Sequence, residues 1–218
     1  MKILNNIRRR FLKPNLKTLS SLDAYAKWAT VYPAEAHNTL MEIEQGSMLS
    51  LMPDLSGKIV LDLACGTGRY TLIAQEKGAQ KIISLDNSMA MLQQCASPNI
   101  TCATTSAIPL PTASIDVILC GMALGHLPTI ETTLSEIGRI LKPNGTLLLS
   151  DFHPYQYLSG ARRTFTDGNQ TYEVEHYVHH ISDYVTIAQA NHLHLTALDE
   201  PIYQDNVPVV AVFKFHHE

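Results

Sequence analysis

Residues 59–71, Ile59-Val60-Leu61-Asp62-Leu63-Ala64-Cys65-Gly66-Thr67-Gly68-Arg69-Tyr70-Thr71, decide how the rest of the chain is read. An apolar run, Ile59 to Leu61, leads into an acid and a turn of small residues, and the turn opens onto a segment of helical character. Gly66 and Gly68 lack a β-carbon, so main-chain N–H groups can approach a nucleotide-like ligand closely. Two ligand classes use such a turn. A dinucleotide-binding turn reads G-x-G-x-x-G/A, its third small residue letting the helix pack tightly on the strand, whereas Thr71 stands at that place here. Asp62, four residues before Gly66, would repel a diphosphate but could accept hydrogen bonds from a cationic amine. A zwitterionic nucleoside without phosphates fits these residues better.

The stretch Val60 to Gly68 resembles the first motif, V-L-D-L-G-C-G-T-G, of the class I S-adenosylmethionine (SAM) dependent methyltransferases of the type 11 family, with Ala64 where the family usually has a glycine. Further matches follow in family order. Lys81 to Asp86 reads as a short strand ending in an acid eighteen residues after Gly68, and Asn87-Ser88-Met89-Ala90-Met91-Leu92 looks like the family's D-x-S-x-x-M-L, with Ser88 as a helix N-cap and Met89 near the adenine. Thr104 to Pro111 has Ser106, beside Ala107, where the family carries an acid that hydrogen-bonds the adenine amino group. A hydroxyl there accepts one bond without charge assistance. Cys120-Gly121-Met122 resembles the fourth motif, near the departing methyl group, and Leu134 to Ser150 resembles the family's E-x-x-R-V-L-K-P-G-G-x-L-L-x-S, a structural signature.

The resemblance implies a Rossmann-like α/β fold: a mostly parallel seven-stranded sheet with an antiparallel last strand, flanked by helices. It implies SAM as methyl donor, S-adenosylhomocysteine (SAH) as product, and a cofactor site of Tyr25, Tyr32, Asp62, Ala64, Gly66, Gly68, Asp86, Asn87, Met91, Ser106, Ala107, Cys120 and Gly121. Tyr25, Trp28 and Tyr32 resemble a Y-x-x-W-A-x-x-Y helix that closes aromatics over the cofactor.

The chain's 218 residues are enough for one α/β domain, and 45% apolar with 17% charged residues is a globular composition. Residues 1–17 hold six of the sixteen basic side chains and no acid, so the remainder carries about −10, which disfavours a nucleic acid substrate. Ile3, Leu4, Ile7 and Phe11 give that basic head an apolar face that could touch an anionic membrane. No apolar run reaches 18 residues and no signal-peptide pattern opens the chain, so a soluble cytoplasmic protein is expected. Cys65, Cys95, Cys102 and Cys120, in or beside core elements without C-x-x-C spacing, read as buried thiols.

The expected organisation is a basic segment at 1–19 and a single domain at 20–218. Within the domain, 20–55 is a helical cover broken at Pro33 and stopped near Pro53, and 152–180 is an insertion over the site with a hairpin at Thr164 to Val174. Ile181 to Ala190 reads as a helix, and Leu193 to Leu198 and Val209 to Phe215 as closing strands. His153 and His126 are the candidate catalytic groups, following the fifth and fourth strands; His37, Tyr172 and His176 are candidate acceptor contacts. The histidines at 176, 179, 180, 192 and 194 lack a partner at ligand spacing, so no metal is expected. A small-molecule or carrier-bound acceptor leads. A nicotinamide-dependent oxidoreductase and a catalytically silent SAM- or partner-binding module are the alternatives.

Overall fold

The computed structural model describes residues 16–204 and 206–218. The basic head therefore lies almost wholly outside the described residues. Its last residues do not: Lys17–Leu19 (β1) form a strand that pairs in parallel with Gln170–Val174 (β8), itself the second arm of a hairpin with Thr164–Asp167 (β7). That hairpin matches the pattern around Asp167-Gly168, where Gly168 supplies a φ of +58°.

The main sheet has seven strands. Ile59–Leu63 (β2), Lys81–Asp86 (β3), Ile100–Cys102 (β4), Ile115–Gly121 (β5) and Leu141–Phe152 (β6) are mutually parallel, and Leu193–Asp199 (β9) and Val210–His217 (β12) close the sheet in the order β4-β3-β2-β5-β6-β12-β9. β12 runs antiparallel to both of its neighbours. A short ladder of Ile202–Tyr203 (β10) with Val207–Pro208 (β11) lies between the closing strands in sequence. Strand order reverses between β2 and β5, the place where open α/β sheets leave a crevice beyond the carboxyl ends of their strands.

Alternate residues of these strands fill both faces. Leu61, Leu63, Ile118, Cys120 and Phe213 pack with Leu134 and Ile137 of Glu131–Ile140 (α5) and with Tyr184 and Ala188 of Ile181–Gln189 (α7). Val60, Leu119, Leu148 and Val212 pack on the other face against Met48 of Thr39–Leu51 (α2) and Tyr70 and Ala74 of Arg69–Glu76 (α3). Each such fully buried aliphatic side chain stabilises the fold by roughly 1.5–3 kcal/mol. Two-sided burial explains why these strands read as near-continuous apolar runs.

The cover at 20–55 is less helical than its composition implies. Ser21–Trp28 (α1), capped by the Ser20 hydroxyl, runs through a 3-10 turn at Ala29–Val31, and α2 begins only after Asn38, whose side chain accepts from the Met41 amide at 3.0 Å. Pro33 therefore opens a non-helical stretch and does not merely kink a helix. Met89–Leu92 (α4) is capped by Ser88 as its motif implies, and Pro154–Leu158 (α6) follows β6. β6 begins at Leu141, ahead of the expected turn, because Pro143-Asn144-Gly145 is absorbed as an irregularity in its pairing with β5, with Asn144 at φ +65°. The thiols are not uniformly buried: Cys65 and Cys120 are, Cys95 is half-buried and Cys102 is exposed on the short strand β4.

Candidate active site

A cavity of about 440 Å³ opens at the reversal point, within the range of small-molecule sites. It is walled by the ends of β2, β3 and β5, by α1 and α2, and by the chain entering β7.

Asp62 and Asp86 stand at the ends of β2 and β3. Asp62 is 1% exposed and accepts from the Thr71 hydroxyl at 2.7 Å; Thr71 in turn lies 2.8 Å from the Ser84 hydroxyl. Thr71 thus positions the acid whose presence set this turn apart from a dinucleotide site. Burial pushes the Asp62 carboxyl up to about 7, against the lowering effect of the Thr71 bond. Asp86 accepts from the Gly66 amide and the Ser88 amide, each at 2.8 Å, and burial raises its pKa despite those bonds.

The turn between them departs from the expectation of free amides. The Cys65 N–H donates to Leu85 O at 2.9 Å, Gly66 to Asp86, and Gly68 to Cys65 O at 2.9 Å. These amides are taken up inside the protein, which leaves a carboxylate-lined wall where a diphosphate site needs open donors. Gly68 at φ +94° caps α3, and a β-carbon there would stand 2.6 Å from Cys95 Sγ. Ala64, at φ +57°, holds the left-handed conformation without glycine's freedom, and Met122 beyond β5 does the same at +58°.

Over this wall lie Tyr25, Trp28 and Tyr32, with ring centroids 4.9–6.2 Å apart. The Tyr25 hydroxyl lies 3.1 Å from His126 Nε2, and His126 Nδ1 lies 2.9 Å from Glu175 O. A carbonyl only accepts, so Nδ1 carries the hydrogen and Nε2 accepts from Tyr25. Burial, with the Arg163 charge adding to it, pushes the His126 pKa down to about 3, so its ring is neutral at physiological pH.

Asp62, Ala64, Gly66, Asp86, Asn87, Met91, Ser106, Gly121, Tyr25, Tyr32, His37 and His126 all line the cavity. His37 does so from the exposed rim, edge-on to Tyr32 at 5.0 Å. Gly68 shapes the turn from behind. Several candidates fall elsewhere. Ala107 is exposed outside the lining, Cys120 is wholly buried beneath Gly121, and Met89 faces out at 51% exposure while Met91 takes the inner position.

His153 is not in the cavity. Its Nδ1 accepts from the Tyr155 amide at 3.1 Å to cap α6, and its Nε2 lies 2.8 Å from Glu200 Oε1. Tyr172 stacks on Phe165 at 5.4 Å in the small core under β7 and β8. His176 packs behind the wall against Gly125, where a β-carbon would come within 2.4 Å of its ring. The other histidines considered for a metal diverge: His179 faces Leu127 O at 2.9 Å, His180 caps α7, His192 forms a left-handed turn, and His194 meets Glu218 at 3.1 Å. Among the described residues no three metal-ligating side chains converge.

Two features were absent from the sequence reading. Wholly buried Glu44 accepts from the Tyr70 hydroxyl at 2.8 Å and from Ser150, and pairs with Arg69 at 2.7 Å, locking α2, α3 and β6 under the cavity. Its signal was available: Glu44 sits between Met41 and Met48 on the apolar face of α2. The second, Arg162 and Arg163 in the cavity wall, had no such signal.

This strand order, with a closing antiparallel strand and two strand-end acids at the reversal point, is the Rossmann-like architecture of class I methyltransferases. A putative SAM-dependent methyltransferase from Listeria monocytogenes has the same fold, with a TM-score of 0.68 at 20% identity over 81% of this chain and 99% of that one. The profile of the family described as "Methyltransferase domain" matches residues 61–149. An uncharacterized protein of Haemophilus influenzae is 36% identical over 62% of this chain and 59% of its own length. A demethylmenaquinone methyltransferase of Lactococcus lactis is 34% identical over 52% and 50%, and a malonyl-[acyl-carrier protein] O-methyltransferase of a Methylovorus species 32% over 46% and 38%. The chain spans about half the length of these curated relatives. Among the described residues no helix is long and apolar enough to cross a membrane.

Proposed function

We propose that the protein is a SAM-dependent methyltransferase acting on a small-molecule or carrier-bound acceptor. The observation that carries this reading is the pair of acids on adjacent strand ends flanking a left-handed turn whose amides are already bonded. Such a wall fits a phosphate-free cationic nucleoside and not a dinucleotide. SAM supplies an electrophilic methyl group on a sulfonium and leaves as SAH.

The chain's own residues have separable tasks. Asp86, fixed by the Gly66 and Ser88 amides, has lone pairs left for ribose hydroxyls. Asp62 accepts from a cationic amine, and that contact favours its ionised form against the burial that opposes it. Thr104, Thr105 and Ser106 offer hydroxyls to the base edge, beside Met91. Tyr25, Trp28 and Tyr32 exclude water, and the enzyme's main remaining duty is to hold an acceptor at about 3–3.5 Å from the reacting carbon. Residues 20–55 and 152–180 act as covers, and the acidic body keeps nucleic acids away.

Incubation with methyl-labelled SAM and a metabolite extract tests this. Label in a small or carrier-bound product is the expected result; no transfer to any product contradicts it.

A further inference from the structure

Resting on the methyl-transfer reading above, we propose that the methyl acceptor is a carboxylate and that Arg163 is the group that seats it. Arg163 lines the β5–β6 side of the cavity with Tyr25, Met122, His126 and Phe152, across from Asp62 and Asp86. Its backbone is fixed by the Val174 amide, which donates to Arg163 O at 2.8 Å. Its Nη2 donates to Met122 O at 3.0 Å, its Nη1 lies 3.5 Å from His176 Nδ1, and its guanidinium sits 5.8 Å from the Phe152 ring.

What sets Arg163 apart is the lack of a counter-ion. Arg69 pairs with Glu44, Arg139 with Glu136 and Arg162 with Glu173, whereas among the described residues no carboxylate lies within ion-pair distance of Arg163. The buried Asp151, whose charge acts on the same neighbours, is committed to the Gly125 and Phe152 amides and the Tyr184 hydroxyl. A half-buried guanidinium without an anion is unfavourable, and its planar fork matches a carboxylate in two parallel bonds. A cationic amine in the same place would be repelled.

The neighbouring groups point the same way. His126 Nε2 faces the Tyr25 hydroxyl, its ring is too weak a base to hold a proton near neutrality, and burial raises the phenol of Tyr25 above its usual range. Neither group removes a proton from an alcohol efficiently at pH 7. A carboxylate arrives ionised. One of its oxygen lone pairs forms the new O–CH3 bond while the methyl carbon's bond to sulfur breaks with its pair passing to sulfur. The product is a neutral ester, and no proton moves.

Trp28, the chain's one tryptophan, lines the cavity and gives a readout independent of turnover. Its fluorescence would be titrated, with SAH saturating, by straight-chain carboxylates from butyrate to decanoate and by the matching amides. The expected result is saturable quenching by at least one acid and not by its amide. Arg163→Gln should weaken it about 10- to 100-fold and Arg163→Lys should recover part of the loss, with SAH affinity by calorimetry the same in all three proteins. An amide that binds as tightly as its acid, unchanged acid affinity in Arg163→Gln, or no acid binding to the SAH-saturated protein would each overturn the proposal. Absence of SAH binding would instead remove the methyl-transfer reading beneath it.

Discussion

The two halves of the cavity are built differently. On the cofactor side the decisive bonds are short-range: Thr71 to Asp62 spans nine residues and Gly66 to Asp86 spans twenty, all within one strand-turn-helix-strand unit. On the cover side Tyr25 meets His126 across 101 residues, Arg163 meets Met122 across 41, and β1 pairs with β8 near the other end of the fold. Local geometry constrains the first half to one ligand class, whereas the second is assembled from separate segments that can change one at a time. The acceptor choice proposed above falls to the second half, whose segments are carried by a rigid scaffold.

Substitutions can break or sharpen this contrast. The largest effect is expected from Gly121→Ala at the end of β5. Its new β-carbon would stand 2.5 Å from the Tyr70 ring and 3.3 Å from Glu44 Oε1, overpacking the buried network under the cofactor wall. A cost of about 2–3 kcal/mol, or a fall in Tm of roughly 4–12 °C by calorimetry, is expected. Next comes pH. Because burial lifts the Asp62 carboxyl to about 7, it is neutral in more acid solution and loses its charge attraction for an ammonium group. SAH affinity should therefore fall by up to about tenfold per unit from about pH 7 to pH 5, and Asp62→Asn should flatten that slope.

A smaller effect distinguishes the two histidines at the strand ends. His153→Ala removes the α6 cap and the Glu200 contact, for about 1 kcal/mol of stability, while SAH titration stays unchanged. A loss of SAH affinity would instead return His153 to the site. The smallest is Ala64→Gly. Left-handed alanine costs roughly 1–2 kcal/mol and glycine's extra chain freedom about 0.5–1 kcal/mol, so urea unfolding should show a gain of about 0.5 kcal/mol.

The same contrast sets how much was legible in the sequence. Asp62, Gly66, Asp86 and Gly121 could be placed because each lies at a fixed offset from a strand end, where period and turn chemistry speak directly. A residue after a strand carries no record of whether its side chain turns toward the crevice or, as His153 does, caps the next helix. Tyr172 and His176 lie in the segment expected to cover the site, yet the parallel pairing of β1 with β8 turns Tyr172 into a small core of its own. Arg163 went unnoticed for the same reason. What sets it apart among the described residues is the lack of a carboxylate partner, visible only once Arg69, Arg139 and Arg162 are seen paired with theirs.

The most direct measurement is calorimetric titration of SAH into the wild-type protein and Asp86→Ala at pH 7.5. Saturable binding by the wild type is expected, with affinity weakened about 10- to 100-fold by the loss of the carboxylate that orders the turn and is proposed to accept from the ribose. Wild-type protein that does not bind SAH, or a folded Asp86→Ala variant that binds it equally well, would contradict that expectation.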